Sequence, residues 1–130
     1  MIVIDASVVA EVILRTPKGL AIEPRLAAEA PLVNAPHLID LEIANVLRRL
    51  VLRREISAER GAVALEDFAK IPIFKWAHAP LLPRVWALRD NVTAYDAAYV
   101  SLAELLEVPL VTLDRRLAAS AGHRARIEIA

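Results

Sequence analysis

Four acidic side chains stand where carboxylates can do chemistry: Asp5, Glu42, Asp96 and Asp114. Asp5 ends the apolar run Met1–Ile4 and opens a helical stretch, and Asp114 stands in the same way after Leu110–Leu113. Both settings also suit a helix cap, because an Asp oxygen accepts hydrogen bonds from the free N–H groups of a first turn. Asp96 has such a role open to it too, since Thr93-Ala94-Tyr95-Asp96 reads as a capping box with Asp in place of Glu or Gln. Taken singly, an aspartate in these places is more often a cap than a catalyst. Glu42 has no equally plain role. It lies at the edge of an apolar helix stripe formed by Ile39, Ile43, Val46, Leu47 and Leu50, an odd place for a charge.

The elements that must position these acids follow from the pattern of apolar runs and breakers. Strands are expected at Met1–Ile4, Leu32–Asn34, Ile73–Trp76, Leu110–Leu113 and Ile127–Ile129. Helices are expected at Ala6–Arg15, Pro24–Glu29, His37–Glu55, Ala58–Lys70, Pro80–Asp90, Ala94–Glu107 and Asp114–Ser120. Alternating strands and helices predict an α/β fold with a parallel sheet. The strands are short and apolar on both sides, as in a sheet covered by helices on both faces.

In such a sheet, ligands bind beyond the carboxyl ends of the strands, where strand order reverses. If the strands bearing Asp5 and Asp114 are neighbours, their carboxylates converge, and the long helix can bring Glu42 to the same cleft. Carboxylates held together repel one another unless protonated or neutralised. No Lys or Cys lies inside these motifs, so the expected neutraliser is a divalent cation. An all-oxygen donor set suits Mg²⁺ or Mn²⁺ rather than Zn²⁺. Mg²⁺ takes only one or two direct carboxylates, leaving the other acids to act through water. The chemistry such a set predicts is phosphodiester hydrolysis by an activated water.

Length and composition bound the rest. With 130 residues, 57% of them hydrophobic, residues 1–130 are expected to form one domain with a core of its own. The absence of cysteine excludes thiol catalysis, Cys-based zinc sites and disulfides, and fits a reducing cytoplasm. The opening MIVIDASVVAEVIL lacks a positive n-region and is not expected to be a signal peptide, and no stretch is expected to span a membrane. Sixteen basic and sixteen acidic residues cancel. A nucleic acid would therefore be held by a local patch or through a metal.

One candidate patch is Arg49 and Arg53, on the Glu42 side of the long helix, although a solvated face is the default for such runs. The same helix carries a second apolar face, Leu38, Leu41 and Leu52, which points to an interface with another chain. His37, His78 and His123 lie in loop-like places with no mutual spacing that makes a site. Trp76 and Trp86 are expected in the core or an interface, and Tyr95 and Tyr99, one turn apart, are expected to pack inward.

Four segments in order, VIDASVV, Pro36 with DLEIANVLRR, TAYDAAYVSLAE and LVTLDRRLA, resemble PIN-domain proteins, and among them the VapC-like toxins of prokaryotic toxin–antitoxin pairs. The resemblance covers essentially the whole chain. It implies a PIN-like α/β/α sandwich with a short parallel sheet of about five strands. It also implies an acidic site of Asp5, Glu42, Asp96 and Asp114 for Mg²⁺ or Mn²⁺, with Asp5 and Asp96 foremost as direct ligands. The implied activity is single-strand endoribonuclease cleavage, with a cognate antitoxin as partner and a homodimer as the common assembly. Ser7 and Thr112 match positions of small hydroxyl residues, implying a hold on water or phosphate.

The last motif departs in carrying one acid, followed at once by Arg115 and Arg116. The alternative is a non-catalytic PIN-fold module that binds RNA or a partner without cutting, against which all four acids stand intact. A phosphotransfer enzyme fits worse. Ser7 occupies the place where a second aspartate would be wanted, and no lysine follows Lys75.

Overall fold

The three buried residues Ile2–Ile4 form β1, the middle strand of a five-stranded sheet, with no polar face to offer solvent. The computed structural model describes residues 1–130. After β1 come α1 (Ala6–Ile13), α2 (Pro17–Glu29), β2 (Val33–Pro36), α3 (Ile39–Leu52), α4 (Ala58–Lys70) and β3 (Ile73–Trp76). A 3₁₀ turn at Ala79–Leu81 leads into α5 (Leu82–Ala87), then α6 (Ala94–Leu106), β4 (Leu110–Thr112), α7 (Arg115–Ala118) and β5 (Ile127–Ile129).

The sheet order is β3-β2-β1-β4-β5 with every pair parallel. The chain first builds outward from β1 through β2 to β3, then returns to lay β4 and β5 on the other side. Right-handed crossovers then put α1–α4 on one face and α5–α7 on the other. The packing agrees: α1 meets α2, α3 and α4, whereas α6 meets α5, β1, β2 and β4. The expected α/β/α sandwich is the fold observed, and strand order reverses between β1 and β4. No helix is long and apolar enough to cross a membrane.

Several local expectations are corrected. The second helix begins at Pro17, not Pro24. Thr16 caps it by accepting from the Gly19 N–H (3.0 Å), and Pro17 fills a first-turn position where no N–H is needed. Pro24 therefore sits inside the helix. Gly19 lets α2 cross α1 closely, since a Cβ there would lie 1.9 Å from the Glu11 carbonyl oxygen.

The second strand runs on through Ala35 and Pro36, which pair with Lys75 and Trp76 of β3. Tyr99 is buried as expected, but Tyr95 is 68% exposed, because the first turn of α6 projects past the sheet. Trp86 is not a core residue either. It lies on the surface under the Arg89 guanidinium, 4.8 Å from its ring centroid.

One polar lock escaped the sequence. Glu104 of α6 is buried and accepts from Arg84 Nε (2.7 Å) and Nη2 (3.0 Å) and from the Arg124 N–H (2.9 Å), tying α5 and the last segment to α6. The Arg84 hydrogen bonds hold the Glu104 carboxyl below the usual carboxylate range.

Candidate active site

The site grows from the β1–β4 register. Val3 aligns with Leu110 and Ile4 with Val111, so the next residues, Asp5 and Thr112, come side by side. Asp5 Oδ1 accepts from the Ser7 N–H (3.1 Å), the Val8 N–H (3.3 Å) and the Ser7 hydroxyl (2.5 Å), while Oδ2 accepts from the Thr112 hydroxyl. Asp5 is thus both the cap of α1 and a buried carboxylate at the switch point. Oδ1 is saturated, and Oδ2 keeps a lone pair.

Ser7 and Thr112, expected to hold water or phosphate, both stand against Asp5. Thr112 is fully buried and accepts from the Asp114 N–H (2.9 Å). Ser7 Oγ accepts from the Leu113 N–H (3.0 Å). Both O–H groups are spent on Asp5, so the pair clamps the start of α1 to the turn after β4 and fixes the Asp5 carboxylate.

Asp114 caps α7, its Oδ1 accepting from Arg116 and Leu117 N–H groups (2.8 and 3.2 Å). At Asp96, only the forward half of the expected capping box is made with the backbone: Thr93 Oγ1 accepts from the Asp96 N–H (3.2 Å). Glu42 stands in the first turn of α3 and meets α6, where its Oε2 accepts from the Tyr99 hydroxyl (3.4 Å).

The electrostatics bind these four into one unit. Burial, then the Asp5 charge and that of Asp96, push the Glu42 carboxyl up to about 7, against the pull of the Tyr99 hydrogen bond. Burial, then Asp114 and Asp5, raise Asp96. Burial also raises Asp5, opposed by its hydrogen bonds from Ser7, Thr112 and Val8. Burial and the neighbouring acids raise the Tyr99 hydroxyl as well, so it stays a donor.

No protein cation relieves this repulsion, since none of the six ion pairs involves the four acids. As placed, no three of the chain's His, Asp or Glu side chains form a ready-made metal cage. Asp96 and Asp114 line one cavity, and Asp5, Glu42 and Asp96 feel one another's charge. That donor set fits a hard cation held by one or two carboxylates and otherwise through water.

Other expected residues fall outside this group. Arg49 is exposed on α3 and Arg53 at its C-cap, seven and eleven residues beyond Glu42, or roughly 10 and 16 Å along the axis. His37 and His78, expected to be unrelated, meet edge to face with centroids 6.4 Å apart. There His78 Nε2 accepts from the Leu38 N–H (2.9 Å), supporting the entry to α3 rather than making a catalytic pair.

Three residues near the acids went unselected. Tyr99 could have been found by its i,i+3 spacing from Asp96. Asn91 and Arg116 line a cavity of about 420 Å³ together with Asp96 and Asp114, and nothing local in the sequence marks them as its walls.

Comparison with known proteins places this geometry in a class. The sequence pattern of the PIN domain matches residues 2–122. The chain is similar to a crystal structure from Pyrobaculum aerophilum, with a TM-score of 0.74 at 21% identity, covering 97% of this chain and 81% of that one. That likeness concerns the fold.

In sequence it is 44% identical over 129 residues to "Ribonuclease VapC12" of Mycobacterium tuberculosis, covering 99% of this chain and 98% of the relative. It is 43% identical over 129 residues to "Ribonuclease VapC1" of the same species, covering 98% and 96%. The chain belongs to the PIN domain family, and within it is VapC-like.

Proposed function

We propose that this chain is a Mg²⁺- or Mn²⁺-dependent, single-strand-specific endoribonuclease and the toxin of a toxin–antitoxin pair. The observation that carries the reading is the gathering of Asp5, Glu42, Asp96 and Asp114 at the switch point, their charges coupled and none of them ion-paired with a cationic side chain. Ribonuclease relatives spanning nearly the whole chain support the choice of RNA.

In this reading Asp5 and Asp96 would be the foremost residues to hold the cation, with Glu42 and Asp114 supporting it through water. The bound cation supplies polarisation of a water and charge neutralisation at the phosphate. Glu42, oriented by the Tyr99 hydroxyl, would accept the proton of the attacking water as the water oxygen bonds to phosphorus, a P–O ester bond breaks and the leaving oxygen takes a proton from solvent. Ser7 and Thr112 act as positioning residues that keep Oδ2 of Asp5 turned to its task. Arg49 and Arg53 hold RNA phosphates farther along α3.

The protein works in the cytoplasm, with a cognate antitoxin covering its site. It works as a homodimer: Leu41 and Leu52 are 77% and 64% exposed on α3, an apolar stripe suited to a second copy. Sedimentation at micromolar concentration checks that assembly.

The decisive test is cleavage of an end-labelled single-stranded RNA. Cutting with Mg²⁺ that stops with excess EDTA is expected. Undiminished cutting in EDTA contradicts the metal mechanism, and RNA that is bound but never cut identifies a non-catalytic module. Growth arrest on expression, relieved by the neighbouring gene's product, tests the toxin assignment.

A further inference from the structure

The cavity beside Asp96 and Asp114 carries two polar side chains without partners. Arg116 is exposed, and while its backbone N–H caps to Asp114, its guanidinium makes no hydrogen bond and joins none of the six ion pairs. An arginine beside two carboxylates would ordinarily close on them and cancel their charge. Here it stays on the wall, a positive group next to a negative opening.

Asn91, across the cavity, has a side-chain amide equally without a partner, offering a donor and an acceptor. It is backed by Gly122, whose φ of +86° and missing side chain leave it room, since a Cβ there would sit 2.5 Å from Asn91 Oδ1. At about 420 Å³ the cavity falls in the range of small-ligand sites, roughly 300–1,000 Å³.

We infer that this cavity is a nucleotide subsite adjoining the acids, in which Arg116 grips the phosphate next to the one attacked and Asn91 contacts the edge of the base. The inference rests on the ribonuclease reading. It adds a phosphate contact on the α7 side of the acids, opposite in kind to them, and a contact able to discriminate bases. A fork of guanidinium donors matches phosphate oxygens, and a charge-assisted contact of this sort changes affinity by about tenfold.

The test reads binding of a fluorescein-labelled single-stranded RNA octamer by anisotropy, on the Asp5→Asn chain in Mg²⁺ so that the RNA survives. KM is read on the otherwise native chain. Arg116→Ala is expected to weaken binding about tenfold, to raise KM more than it lowers kcat, and to reduce the slope of log affinity against log salt by about 0.7. Arg116→Lys is expected to restore the slope and part of the affinity.

Arg126→Ala, at the amino end of β5 and paired with Glu128, is the control and should change neither. Asn91→Ala is expected to alter the base preference around the cut. An unchanged KM and salt slope in Arg116→Ala, or an equal loss in Arg126→Ala, overturns the subsite while leaving the ribonuclease reading in place. A native chain that neither binds nor cuts RNA overturns both.

Discussion

Asp5→Asn is expected to lower RNA cleavage by about 10²–10³-fold or more, the scale of removing one electrostatic stabiliser from an active site. The fold should survive, because Asn is as good a helix cap as Asp. Its Oδ1 can accept from the Ser7 and Val8 N–H groups as Asp5 does now. Its amide can donate to the Thr112 hydroxyl, which has a second lone pair beside the one given to the Asp114 N–H. What is lost is the charge and the free lone pair on Oδ2. Initial rates on labelled RNA and a circular-dichroism melt check both halves. A rate within tenfold of native, with the fold intact, removes Asp5 from the chemistry.

Glu42→Gln is expected to stabilise the metal-free protein at pH 8. The Glu42 carboxyl stands at about 7 in the folded chain against an ordinary 4.5. Below the ordinary value the group is protonated in both states and has no effect. As pH rises through the window between, the unfolded chain releases its proton first, so stability falls. Above about 7 the folded chain is ionised too, and the full penalty remains. With solvent screening of a half-exposed group allowed for, that penalty is about 1–2 kcal/mol, or roughly 3–8 °C in Tm.

Gln keeps the Tyr99 contact and removes the charge. The variant should therefore melt higher than native at pH 8 and together with it near pH 4.5. Millimolar Mg²⁺ should raise the native Tm at pH 8 by binding the folded state. A lower Tm for the variant at pH 8, or the same difference at both pH values, contradicts the repulsion described.

The placement of Asp5 and Asp114 beyond strand carboxyl ends was readable because it depends on short-range signals. An apolar run followed by Asp marks a strand's carboxyl end whether the neighbouring strand is known or not, and Asp5 and Asp114 both carry that mark. Their adjacency needed the sheet order, which the sequence supports only as one arrangement among several.

The prolines misled in proportion to their ambiguity. Pro17 stops α1 and starts α2 at once, and only the Thr16 cap and the close crossing at Gly19 decide where the second helix begins. The fine structure of the site was beyond local reading. The Thr112–Asp5 bond spans 107 residues and the Tyr99–Glu42 bond 57. Hydrophobic period reports which face is buried, not what meets it. Asn91 and Arg116 look like ordinary surface residues until the turn before α6 and the start of α7 meet at one cavity.

The central claim is that the four acids form one site for a hard divalent cation. Mn²⁺ binding, followed by the loss of its free-ion electron paramagnetic resonance signal, tests this without reference to RNA. Saturable binding is expected at pH 7.5, displaced by Mg²⁺, weakened sharply at pH 5 as Glu42 protonates, and abolished by Asp96→Asn. Binding that never saturates, or that survives Asp96→Asn and acid alike, would contradict it.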